Sequence, residues 1–436
     1  MAIAFGAATT VAVTSADTTL TIAVPAHSNG DLLVLFVRSV TAGAGGWAAL
    51  AGWTVLHETA ASRLLYRIAS SEPADYTQTW TTSREAVAIM HSYSGVATAR
   101  PILAYRYLIN ASGSSHAVAE LYTPTTTGMA VAFVGVGRGS TTTTEPGGYT
   151  MAGNPDSGGT TTSATEGAGA YKALASARAS ATSFSTSNSA ASETYHLLLT
   201  PSGGTEPLAL RAFTTFTGTG TSADVVIPVP SLVGSGDRLY AIVTGRGAAA
   251  LTVTTPAGWT QLGTQETYSS GTNSAHMVVY ARWASALEPA SYTFSFSASV
   301  GDRANGMMLS CTGSAVVGTH GQATDSTDDT TVTVPATTFS AQSPDALVIA
   351  AVGLDRGDRS TTAPAGYEQI ITLADGSVGS RQRTSAAVVM SAGADASATS
   401  FTASAAVRNV AFHFAINTAT APVVGGKTRT FAYIIG

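Results

Sequence analysis

Two stretches of this chain repeat each other, and that repeat restricts the architecture before any single element is considered. Glu72-Pro73-Ala74-Asp75-Tyr76-Thr77 returns as Glu288-Pro289-Ala290-Ser291-Tyr292-Thr293. Gly30-Asp31-Leu32-Leu33-Val34 returns as Gly236-Asp237-Arg238-Leu239-Tyr240, and Ala51-Gly52-Trp53-Thr54 as Ala257-Gly258-Trp259-Thr260. The period is a little over 200 residues. A weaker repeat lies inside each copy, where Pro146-Gly147-Gly148-Tyr149-Thr150 and Pro364-Ala365-Gly366-Tyr367 take the place of the Gly-Trp-Thr turn. Four related modules are therefore expected as two pairs, cut near Pro201-Ser202-Gly203-Gly204, where breaker residues accumulate. The expected units are 1–204, 205–424 and a terminal segment, 425–436.

The local pattern is that of strands. Apolar and small polar residues alternate in Leu20-Thr21-Ile22-Ala23-Val24 and Tyr292-Thr293-Phe294-Ser295-Phe296, and no helical spacing is sustained. Leu32 to Val37 and Ala346 to Val352 are apolar throughout, which suits strands covered on both faces. Frequent turn clusters complete an all-β reading. We expect two tandem jelly-roll-like β-sandwich domains, each of two pseudo-repeated halves, with four immunoglobulin-like sandwiches as the alternative. Strict alternation of Trp-bearing and Tyr-bearing halves favours the paired version.

Composition removes several function classes. Charged residues are 11% of the chain, the net charge is −5, and the only lysines are Lys172 and Lys427. No basic run can neutralise a series of phosphates, so nucleic acid is not an expected partner. The single cysteine, Cys311, permits no internal disulfide and no thiolate cluster, and reads as a small buried hydrophobe. Met1 to Thr10 has neither the basic segment nor the apolar stretch of a secretory signal, and no apolar run suffices to span a bilayer. The expectation is synthesis in the cytoplasm with no membrane partner; any extracellular role would need another export route, of which release by host lysis as part of a virus particle is one.

Candidate chemistry is sparse. Eight histidines are scattered with no two at metal-ligand spacing, and His91, His196 and His413 fall in closing strands, where satisfied core or surface histidines are expected. Glu72 and Glu288 recur before Pro without a second recurring carboxylate, so they read as turn carboxylates rather than as half of a glycosidase pair. Asp325, Asp328 and Asp329, with Asp355 and Asp358, lack the spacing and glycine of a calcium hand. Gly135-Val136-Gly137-Arg138-Gly139 reads as a strand entering a turn, because no helix start follows it. The sequon Asn110-Ala111-Ser112 would meet no transferase without export. No catalytic residue, metal or cofactor is expected.

Three tryptophans are candidate glycan or partner contacts. Trp53 and Trp259 follow glycine in a turn; packing at the sandwich end is the preferred reading, because Tyr149 and Tyr367 hold the same place, and a sugar-stacking platform is the alternative. Trp80 reads as core. Trp47 lies in a Gly-rich run with no counterpart in the second copy and is the one expected to be exposed. The terminal segment carries Phe431, Tyr433, Ile434 and Ile435 in an alternating strand outside the repeat. Such a strand has an unpaired edge, and either folds back or adds to a neighbouring molecule as an assembly strand.

Gly30 to Val34, Pro256-Ala257-Gly258-Trp259-Thr260, Val278-Val279-Tyr280 and Glu288 to Thr293 together resemble a repeat of tailed-phage structural proteins and bacterial surface proteins. The resemblance covers nearly the whole chain and carries no catalytic residue. The first copy departs from it in having Leu50 where the second has Pro256. It implies a non-enzymatic virion protein outside a tailed phage, as a capsid-decoration, head-fibre or tail-fibre subunit. Other virion proteins and further copies of itself would be the partners. The alternative is a carbohydrate-binding adhesin or receptor-binding module that takes a host surface glycan.

Overall fold

The computed structural model describes residues 2–40, 46–123, 128–139, 141–158, 164–174, 179–203, 206–218, 223–269, 274–300, 304–312, 315–337, 346–356, 358–374, 383–391 and 397–418. The chain is all-β, with every strand pair antiparallel and no helix among the described residues. The first half contains β1 (Ala4–Ala23), β2 (Leu32–Ser39), β3 (Thr54–Glu58), β4 (Ser62–Ile68) and β5 (Asp75–Ser94). The second contains β6 (Ile102–Val118), β7 (Gly128–Val136), β8 (Thr143–Thr144), β9 (Thr150–Gly153), β10 (Glu166–Leu174) and β11 (Thr182–Leu199). The third contains β12 (Leu210–Thr217), β13 (Asp224–Pro228), β14 (Arg238–Gly247), β15 (Val253–Thr254), β16 (Thr260–Tyr268), β17 (Ser274–Trp283), β18 (Ser291–Phe296) and β19 (Ala304–Cys311). The fourth contains β20 (Ala315–Val334), β21 (Ala346–Leu354), β22 (Thr361–Thr362), β23 (Glu368–Ala374), β24 (Arg383–Ser391) and β25 (Thr399–Thr418).

All four halves share one strand order. The sheets run β1-β5-β2-β4-β3, β6-β11-β7-β10-β9, β12-β19-β14-β17-β16 and β20-β25-β21-β24-β23. In each, the opening strand meets the closing strand at one edge and a hairpin lies at the other. The long outer pairs also bend out of this sheet. Register shifts between Val13 and Thr19 in β1 and between Asp325 and Thr331 in β20 mark the bends, as bulges do where a strand changes sheet. In the third half each outer strand is cut in two, and the far pieces form a separate sheet, β13-β18-β15. β8 on β11 and β22 on β25 hold the place of β15 on β18. The bridge between Trp47 and Trp80 does so in the first half.

The continuously apolar strands are explained by two buried faces. Leu33, Leu35 and Val37 of β2 point into the core of their own half, against Leu65, Trp53 and Trp80. Their neighbours Leu32, Val34 and Phe36 point the other way, into a second cluster with Met129, Val131 and Phe133 of β7 and Tyr195, Leu197 and Leu199 of β11. The third and fourth halves repeat the device: Leu239, Ala241 and Val243 face inward, while Tyr240 and Ile242 join Leu347, Ile349, Phe412 and Phe414. At about 1.5–3 kcal/mol for each large apolar side chain removed from water, both clusters are major sources of stability. Each half thus encloses a core of its own, the arrangement of the four-sandwich alternative. The two halves of a copy are joined face to face, which keeps the pairing implied by the alternating Trp and Tyr turns.

Glycine permits that close approach. A Cβ at Gly135 of β7 would lie 2.7 Å from the Arg38 side chain, and one at Gly169 of β10 would lie 2.9 Å from both His91 and Phe133. The glycine run at 135–139 is indeed the end of a strand followed by a turn, with β7 ending at Val136.

Candidate functional site

The repeated motif residues brace turns. Asp31 accepts the backbone N–H of Ser28 at 2.7 Å, and Asp237 accepts that of Gly234 at 2.9 Å. Glu72 accepts the Ser70 N–H at 2.7 Å and the Tyr76 hydroxyl and pairs with Arg67 at 3.0 Å. Glu288 repeats this with the Ser285 N–H at 2.6 Å, the Tyr292 hydroxyl and Arg282 at 3.4 Å. Burial opposes ionisation of Glu288, yet the bonds from Tyr292 and Ser285 and the charge of Arg282 hold its carboxyl below the usual range. These carboxylates are the turn acceptors the sequence predicts.

The tryptophans belong to the same braces. Trp53 meets Tyr76 edge-on at 5.3 Å under the Arg67 guanidinium, and Trp259 meets Tyr292 at 5.2 Å under Arg282. They are 9% and 6% exposed, so neither offers a free indole face to a sugar. The expectation of an exposed Trp47 is corrected: it is also 9% exposed, packs edge-on against Trp80 at 5.6 Å and donates its indole N–H to the Thr59 carbonyl at 2.8 Å. Its bridge to Trp80 replaces the short strand of the other halves, so it has a structural counterpart where it has none in sequence. Phe431, Tyr433, Ile434 and Ile435 lie outside the described residues.

Histidines and aspartates are likewise committed. His196 bonds Tyr149 at 2.7 Å and the Ala119 carbonyl at 2.6 Å, and His413 bonds Tyr367 at 2.9 Å and the Pro335 carbonyl at 2.8 Å. His91 bonds Tyr93 at 2.8 Å. Burial lowers all three, to about 4 for His196 and about 3 for His91, so they are neutral. Asp325 and Asp329 accept backbone N–H groups two residues on, and Asp328 pairs with Arg408 at 3.3 Å. Among the described residues no group of three His, Cys, Asp or Glu is placed to hold a metal. Cys311 is fully buried, and burial pushes its thiol up.

One cleft stands apart from this bracing. It has a volume of about 360 Å³ and is walled by His57 from β3, Tyr105, Arg106 and Tyr107 from β6, Phe213, Thr214 and Thr215 from β12, and Pro228 from β13. Three halves therefore contribute, and the cleft lies at the junction of the two copies. A bulge after Val55 sets His57 opposite Leu64 rather than Arg63, which turns it toward the second half. There its ring lies 4.1 Å from that of Tyr107, which in turn sits 5.0 Å from Tyr195.

Behind the cleft runs a buried polar chain. His57 Nδ1 is 3.3 Å from the Tyr195 hydroxyl, which is 2.7 Å from Ser62 Oγ. Ser62 donates to Glu193, Thr59 donates to the same carboxylate at 3.2 Å, and Arg38 pairs with it at 2.8 Å. Burial lowers His57 despite the Glu193 charge, and burial followed by that charge raises the Tyr107 phenol. A serine, a histidine and a carboxylate are all present, but the contacts run in the wrong order for nucleophilic catalysis: His57 meets a tyrosine hydroxyl, and Ser62, fully buried, meets the carboxylate directly. What the arrangement can do is hold aromatic rings rigidly around a small cavity.

Sequence reasoning did not find this cleft. Tyr105 and Tyr107 alternate on one strand, which is the only local signal; His57 and Phe213 reach them through packing between halves. The chain matches no family model, and comparison with curated proteins and with solved structures returns no relative.

Proposed function

We propose that the chain is a non-enzymatic structural protein on the outside of a tailed-phage virion, as a capsid-decoration or fibre subunit. The observation that carries this reading is the use made of the motifs that resemble phage structural repeats. Asp31, Asp237, Glu72, Glu288, Trp53 and Trp259 brace turns in both copies and leave no reactive group at those turns. The second support is the set of polar contacts between the copies. Arg100 of the first copy pairs with Glu206 at 2.7 Å and with Asp237, and Arg211 of the second donates to the Ile102 carbonyl at 2.7 Å. A body of four modules tied in this way suits a subunit that bears load or spaces other parts.

The test is labelling. Antibody raised against the folded protein, coupled to gold, is applied to particles purified from a lysate that contains the chain. Gold on heads or tails is expected, and its position would tell decoration from fibre. Particles without label, beside free protein in the same lysate, would sink the proposal.

A further inference from the structure

We infer that the cleft between the first, second and third halves is a binding site for a neutral saccharide. This is independent of the virion reading and would hold for any displayed protein. The cavity, about 360 Å³, falls within the roughly 300–1,000 Å³ of small-ligand sites. Its walls are the partly exposed rings of Tyr105, Tyr107, His57 and Phe213. Pyranose rings carry an apolar C–H face that lies against such rings, while their hydroxyls need polar atoms at the edges. Thr214, Thr215 and the imidazole of His57 supply those edges.

Charge selects the class further. Arg106 faces Glu368 at 3.7 Å and lies over Phe213 and Tyr122 at 5.2 and 5.5 Å, while Glu193 behind the cleft is balanced by Arg38. The wall therefore carries paired rather than net charge, which favours a neutral sugar over an anionic one. The rings are also held before any ligand arrives: the Tyr105 hydroxyl bonds Ser231 at 2.9 Å, the Tyr195–Ser62–Glu193 chain holds His57 from behind, and the Tyr107 ring packs against that of Tyr195 at 5.0 Å. Preorganisation of this kind lowers the entropy cost of binding.

The full chain is titrated by calorimetry with neutral trisaccharides built from glucose, galactose, mannose or N-acetylglucosamine, and with sialylated and sulfated counterparts. Saturable binding of at least one neutral sugar is expected, weakened at least tenfold by Phe213→Ala and by Thr215→Trp, which fills the mouth from an exposed position. Both variants should melt as the parent does; Thr215→Trp keeps the test valid if Phe213→Ala loosens the fold. Absence of binding at millimolar sugar, tighter binding of the acidic sugars, or affinity unchanged by Thr215→Trp would each overturn the assignment.

Discussion

His91, His196 and His413 are buried neutral in equivalent closing strands, and that state has a cost on acidification. Their folded pKa values lie below the ordinary 6.5, so below that pH the unfolded chain binds more protons and stability falls as the pH drops. Each such histidine contributes a slope of up to about 1.4 kcal/mol per pH unit between 6.5 and its folded value. Glu166 acts in the opposite sense: burial raises it to about 7, so it takes up a proton on folding and favours the folded state as pH falls. His57, His116 and His276 are lowered by burial too, and Glu368 and Asp355 are raised as Glu166 is, so six such histidines against three such carboxyls leave a net loss. The melting temperature should therefore fall steadily from pH 7 to pH 4.5, and His196→Gln should flatten that dependence while lowering stability at pH 7 through its lost bond to Tyr149. A melting temperature flat over this range would contradict the assignment of neutral, desolvated rings. At this scale the sequence was informative about commitment and poor about exposure. Glu72 and Glu288 announce their role because each sits in a repeated turn with its own Tyr four residues on. Trp47 does not, because its burial depends on Trp80 and on a carbonyl contributed by Thr59, partners that only folding brings together.

The elements show why the strands could be recognised while their arrangement could not. Leu32 to Val37 reads as a strand covered on both faces, and it is one, but the sequence does not say that its second face meets another half rather than a second sheet of its own. The bends in β1 and β20 are equally silent, since bulges there interrupt the alternation and make one long strand look like two. β10 was not legible at all, because Glu166-Gly-Ala-Gly-Ala has little side chain to alternate. Its glycines are instead what lets the sheets of the first and second halves come together. Gly169→Val should therefore cost more than a strand substitution of higher β-propensity would suggest: its branches would enter the space of the His91 and Phe133 rings. We expect a loss of about 2–3 kcal/mol, the range of overpacking in a tight core, read from denaturant unfolding. A neutral or stabilising effect would mean that the two sheets have slack between them.

At the scale of the molecule, the two copies are joined by a closed set of charges rather than by a continuous sheet. Arg211 is almost wholly buried and pairs with Glu206 at 2.8 Å and Asp237 at 3.4 Å, while Arg100, from the other copy, contacts the same two carboxylates. Two cations and two anions balance, so none is left unpaired away from water. Asp237 shows how the repeat was put to this use: Asp31 braces its turn alone, whereas the equivalent aspartate braces its turn and also holds the neighbouring copy. Arg211→Ala would leave Asp237 facing Arg100 alone and the Ile102 carbonyl without its donor. The expected cost is about 3 kcal/mol, the low end for a broken buried pair because Arg100 remains. Since the set spans the copies, that cost should appear as lost coupling: calorimetry should resolve two transitions in the variant where the parent shows one. Small-angle scattering should also give a broader distribution of overall lengths. If the variant keeps a single transition and the parent's dimensions, the copies are held together by the apolar packing around Leu208 and Tyr122 instead, and the charges contribute little to the stiffness on which a load-bearing role depends.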